Sequence, residues 1–147
     1  NVKHSQKTNR LGDNTAAMSL FWGKEGDVER CVTAFREKSS SPQATVDIVI
    51  GADILARALC DPKYPLEAAK DLLIFGEDET ARGRTKQFIC AYNIRSESSL
   101  QYVIQTATST GFKVVELNIC EFLPKPWPEK LESNADTMRF FMFELTL

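Results

Sequence analysis

A chain of 147 residues, 43% hydrophobic and 26% charged, has room for one domain and not comfortably for two. Its formal charge of −2 supplies no electrostatic footprint for DNA or RNA, and no apolar run approaches the ~20 residues that span a bilayer. Cys31, Cys60, Cys90 and Cys120 form no C-x-x-C pair and match no metal motif, which fits free thiols in a reducing cytosolic or nuclear compartment.

Residues 1–14 are polar, contain the one histidine (His4, read as solvent-exposed) and end in the turn-like cluster Gly12-Asp13-Asn14. Ala16 to Trp22 predicts a short strand closed by Gly23. Asp27 is the predicted N-cap of an amphipathic helix whose apolar face is Val28, Cys31, Val32 and Phe35. Ser39 to Pro42 form a loop, and Val46 to Asp53 follow as the stretch on which the chain is organised. Its nearly continuous Val46, Ile48, Val49 and Ile50 predict a strand buried on both faces of a parallel sheet. Gly51 and Ala52 then remove side-chain bulk, and Asp53 puts a carboxylate at the tip, where open α/β sheets bind their ligands. An ordinary turn, with Asp53 capping the next helix, is the plainer alternative.

Ile54 to Cys60 is compatible with a helix, but Asp61-Pro62 and Pro65 interrupt it. Leu66 to Phe75 predicts a helix with Leu66, Ala69, Leu72 and Leu73 inward and Gly76 at its end. Glu77 to Lys86 reads as a charged surface loop and Gln87 to Ile94 as a strand. Ser96 caps a third helix, with Leu100, Val103, Ile104 and Ala107 on its apolar face and Gly111 as its stop. Phe112 to Ile119 and Met138 to Leu147 are the last two strands. The loop between them holds Pro124, Pro126, Trp127 and Pro128, and is either a structural connection or part of a substrate rim. This alternation predicts an α/β fold with right-handed crossovers between parallel strands. The final pair has no helix between its members, so the last strand should run antiparallel.

At four places the wording resembles the seven-β-strand, S-adenosylmethionine-dependent methyltransferases, in the branch that methylates lysines of chaperones, elongation factors and calmodulin. Leu20-Phe21-Trp22-Gly23 resembles the L-x-W-G that follows that family's third strand. Asp47-Ile48-Val49-Ile50-Gly51-Ala52-Asp53 resembles its fourth strand, and Asn93-Ile94-Arg95-Ser96-Glu97 the exit of its fifth. Gly111-Phe112-Lys113-Val114-Val115 resembles the opening of its sixth. The likeness implies a Rossmann-like sheet, strands three to seven, parallel with an antiparallel last strand, in one N-terminally truncated domain spanning residues 1–147.

The resemblance also implies a site. Trp22 would lie against the adenine of S-adenosylmethionine, Gly23 would let the backbone come close, and Ala52 would border the methionine end. Asp53 would sit where a lysine of a protein substrate enters, with no nucleic acid or membrane partner. Methyl transfer from a sulfonium needs alignment of a neutral amine more than acid–base machinery, and a carboxylate there can orient the amine. Two features depart from the family. Its aromatic three residues after the acid is Ala56 here, with Tyr64 a candidate for the same space, and the glycines make no G-x-G cofactor loop. Without the first two strands the third would lack a neighbour and the fourth would become an aggregation-prone edge. These residues alone are therefore expected to be inactive. The alternative is a non-catalytic, methyltransferase-like interaction module. A methyltransferase acting on nucleic acid or on small molecules is a third reading; G-A-D in place of N-P-P-Y speaks against the nucleic-acid type.

Overall fold

A computed structural model of the chain describes residues 17–38, 45–77, 83–122, 125–127, 129 and 136–147. The helices are α1 (Asp27–Lys38), α2 (Lys63–Ile74), α3 (Glu97–Thr110) and the single turn α4 (Ile119–Phe122). The strands are β1 (Ile48–Ala52), β2 (Thr85–Asn93), β3 (Lys113–Leu117) and β4 (Met138–Thr146). They form an open mixed α/β sheet in the order β1-β2-β4-β3, with β1 parallel to β2 and β4 antiparallel to both β2 and β3. The last strand thus enters between two earlier ones and runs against them, as the missing helix before it predicts.

Helix boundaries follow local chemistry. Ser96 is extended and its hydroxyl accepts from the Ser99 N–H at 3.2 Å, while Gly111 ends α3 at φ 102°, a left-handed position that costs glycine nothing. The second helix starts earlier than expected, at Lys63. Pro65 falls in its first turn, where a backbone N–H has no helical partner to lose. Asp27 is not the cap predicted for it. It is the first helical residue, buried, and its carboxylate accepts from Phe21 N (2.7 Å) and Arg30 Nε (3.0 Å). The Arg30 hydrogen bond and then the Phe21 N–H hold that carboxyl below its usual range.

Strand alternation sorts the sheet into two faces. Phe88, Cys90 and Tyr92 of β2 and Phe141, Phe143 and Leu145 of β4 point one way. They pack with Leu66, Ala69 and Leu73 of α2 and Leu100, Val103 and Ala107 of α3 to form the core. The register puts Ile50, Ile89, Met142 and Val115 in one row of the opposite face, and Ala52, Ala91, Phe140 and Leu117 in the next. None of these eight residues is fully buried.

Two readings from apolar pattern alone fail here for one reason, and both outcomes match the expectation for a sheet without its first two strands. Val46 to Asp53 is not buried on both faces: β1 is an edge strand, with Ile48 54% and Ile50 79% exposed. Residues 17–22 form no strand. With no strand beyond β1 among the described residues, residues 17–22 have no ladder to join there, and their polar groups find other partners. The Ser19 carbonyl accepts from Arg30 Nη2 at 2.6 Å and from Cys31 Sγ at 3.4 Å. On β1, the Asp47 carbonyl and the Asp53 N–H bond to β2, so Ile48, Ile50 and Ala52 turn their backbone groups outward. The opposite edge is guarded by the exposed Lys113 and Glu116, whereas the outward positions of β1 carry no charge. Ile50→Lys is therefore expected to raise the concentration at which the chain aggregates, with a stability change within about 0.5 kcal/mol. Light scattering beside a urea melt checks both.

A third expectation fails for Lys86, which is no surface-loop residue. It lies in β2 and is 1% exposed, with its ammonium donating to the Val46 carbonyl at 2.7 Å and to Glu77. All four cysteines are unpaired. Burial pushes the Cys90 thiol up to about 12, which makes it an inert core residue. No helix among the described residues is long and apolar enough to cross a membrane.

Candidate functional site

The carboxyl ends of β1, β2 and β3 gather the polar residues that the core excludes. Asp53 follows β1 directly and takes φ 53°, the left-handed region that aspartate tolerates better than most residues. Its N–H donates to the Ala91 carbonyl at 2.7 Å, which fixes this turn against β2. Its carboxylate accepts from Arg95 Nη2 at 2.9 Å and, at 3.4 Å, from the Asn93 N–H. An ionised carboxylate offers roughly four acceptor positions, so this one is held at both oxygens and still has room for a further donor. Beneath it, burial raises the Tyr92 phenol, and the negative charge of Asp53 adds to the shift. Ala52, the last residue of β1, is exposed beside this carboxylate.

Trp22 and Gly23 form a turn of their own ahead of α1. Trp22 is 38% exposed in a turn ahead of α1, and Gly23 sits at φ 76°. A Cβ on Gly23 would stand 2.7 Å from the Tyr64 ring, so the close approach that this glycine permits is to Tyr64 at the start of α2. Tyr64 is thereby committed to Gly23, and Ala56 is fully buried in the core. Among the described residues, no hydrogen bond or ion pair joins the Trp22-Gly23 turn to Ala52-Asp53. The structure sets Ala52 and Asp53 side by side at the end of β1 and seats Gly23 against Tyr64 of α2.

Sequence reading missed the other half of the carboxyl edge. A surface cavity of about 480 Å³ is lined by Glu116, Leu117, Asn118 and Ile119 at the end of β3 and by Met138, Arg139 and Phe140 at the start of β4. Arg139 Nε pairs with Glu116 at 3.1 Å across its mouth. The only advance signal was polar residues at two strand ends, which does not single them out. The Arg95–Asp53 pair was equally hidden, since 42 positions separate its members. The proposed rim loop lies mostly outside the described residues. In the part described, the Lys125 ammonium stands 4.9 Å from the centre of the Trp127 ring.

Among the described residues, no cluster of histidine, cysteine and carboxylate side chains is arranged to hold a metal ion. No family model matches the chain, and no curated protein matches it.

Proposed function

We propose that the chain is the back portion of a seven-β-strand methyltransferase that transfers a methyl group from S-adenosylmethionine to a lysine of a protein substrate. The observation that carries this reading is the Asp53 turn. A carboxylate stands at the C-terminal tip of a parallel strand, held in a left-handed turn by Arg95 and the Asn93 N–H, at the edge where α/β sheets bind ligands. Two features of the fold support it. The last strand enters antiparallel, as in that family's sheet, and β1 leaves an uncharged open edge on which further strands could pair.

In this reading Asp53 accepts a hydrogen bond from the entering amine and points its lone pair at the methyl group. The carboxylate also stabilises the positive charge that grows on nitrogen as the methyl arrives. Arg95 keeps Asp53 fixed and partly neutralised, which disfavours trapping the lysine as an unreactive ammonium. Ala52 leaves space for the methionine end of the cofactor. Trp22 offers an exposed ring for adenine. Activity requires the longer polypeptide.

Titration of S-adenosylhomocysteine into the 147-residue chain and into the longer polypeptide tests the proposal. Binding by the longer form alone is expected, weakened about tenfold by Trp22→Ala, since one base–aromatic stack contributes ~1–2 kcal/mol. Asp53→Asn should leave that binding intact and lower the methylation rate by about two orders of magnitude. A well-folded longer form that does not bind the cofactor leaves the second reading, a non-catalytic interaction module, which Ala56 in place of the family's aromatic favours.

A further inference from the structure

A groove runs between the turn that leads into α1 and the outer side of α2. Two cavities, of about 220 and 270 Å³, share Val28 and Asp71 in their walls and so adjoin. The groove's apolar surface comes from Phe21, Val28, Ala68 and Ile74, and Phe21 and Ile74 are 61% and 40% exposed. Four carboxylates rim it, Glu25, Glu29, Glu67 and Asp71, against one lysine, Lys24. Lys63 and Lys70 stand beside Glu67 and Asp71, which leaves Glu25 and Glu29 as the rim carboxylates with no ion-pair partner among the described residues.

Each polar partner within the groove matters to what it can accept. Glu67 faces Lys63 at 3.7 Å in an exposed pair, which holds it only weakly. Lys24 is tied at 3.9 Å to Asp27, itself satisfied by Arg30 and the Phe21 N–H. The Lys24 ammonium also lies 5.6 Å from the centre of the Phe21 ring, so the groove already seats one cation on its aromatic wall. Asp71 makes no hydrogen bond among the described residues. Partial burial, followed by the charge of Glu67, raises its pKa, and Lys70 offsets this only in part.

We infer that this groove docks a basic segment with one apolar side, contributed by a partner protein. An amphipathic helix laid in a hydrophobic groove is a common way for such segments to bind. Here the apolar side would cover Phe21, Val28 and Ile74, and its lysines or arginines would reach Glu25, Glu29 and Asp71. Charge complementarity of this kind selects partners and speeds encounter. The inference needs no methyl transfer, and its one overlap with the residues assigned to the cofactor is Gly23, which lines the same wall.

The probe is a synthetic amphipathic peptide of leucine and lysine, titrated into the isotope-labelled 147-residue chain. Signals of Phe21, Val28 and Ile74 should move, and raised salt should weaken the binding. Glu29→Lys with Asp71→Lys should weaken it about tenfold, and a peptide with glutamate for lysine should recover it on that variant alone. Glu29→Gln with Asp71→Asn should give a smaller loss in the same direction, which guards against an unfolded charge-reversed chain. Unchanged affinity in both variants, or peptide shifts confined to the open sheet face or the β1 edge, overturns the inference. So does self-association of the chain through these three residues without peptide.

Discussion

Phe143→Ala should destabilise the chain by about 4 kcal/mol, the loss expected when a large aromatic is cut from a core that cannot collapse around the gap. Phe143 is completely buried in β4. Its ring stacks on Phe88 with centroids 5.2 Å apart, meets Phe112 edge-on at 6.1 Å and leans on Phe141 at 6.1 Å. The register explains why one residue gathers so much. Phe143 is paired with Phe88 across one ladder and with Val114 across the other, so it stands at the middle of the sheet beneath both core helices. Met142 is its neighbour in sequence, but its side chain lies on the face that the core helices do not cover. Met142→Ala should therefore cost about 1 kcal/mol. Urea melts of the two variants decide the matter, and equal losses would mean that the helices do not cover the face assigned to them.

That contrast marks what the sequence could and could not tell. Helices with a single apolar stripe were legible in type and nearly in extent: the caps Ser96 and Gly111 bound α3 as their chemistry requires. The antiparallel last strand was legible because no helix separates it from its predecessor. Apolar pattern alone did not say which strands have neighbours; the resemblance did, since without its first two strands the stretch Val46 to Asp53 becomes an edge, as β1 is. Ile48, Val49 and Ile50 form a continuous apolar run, and such a run looks the same whether both sides are covered or one is open to water. Asp53 was legible as a strand-end acid, whereas Arg95 gained its role only when β1 and β2 aligned. Trp22 and Gly23 matched a motif by spacing, yet the turn they form rests on Tyr64, and spacing does not report that contact. Lys86 was hidden for the opposite reason, because a lysine beside charged residues reads as surface and here lies under them.

Removing the Glu77 carboxylate should cost about 3 kcal/mol, nearly as much as the core aromatic, because it strands the Lys86 ammonium in a site that water does not reach. Lys86 is 1% exposed and Glu77 10%, and the two are in direct contact. Asp47 at 3.6 Å and the Val46 carbonyl remain as partners, but Asp47 is 64% exposed and already shared with Arg84. They soften the loss without cancelling it. The Lys86 hydrogen bond is the largest cause that lowers the Glu77 pKa; burial opposes it, and the Thr45 hydroxyl and the charges of Lys86 and Arg84 add to it. A carboxyl whose pKa is lower in the folded chain binds its proton less readily there than in the unfolded chain. Its contribution to stability is thus complete above the ordinary glutamate range and is lost as pH falls through the lowered folded value. Glu77→Gln should remove this acid-side loss and leave a chain that is less stable at neutral pH, with a flatter decline towards acid. Glu77→Gln with Lys86→Met should regain most of the lost stability, since the buried charge and its missing partner disappear together. Melts across the acid range separate the cases. A Glu77→Gln chain with the parent's stability at neutral pH and the parent's acid limb would show that Lys86 is solvated and that the β1–β2 base is not pinned by this pair.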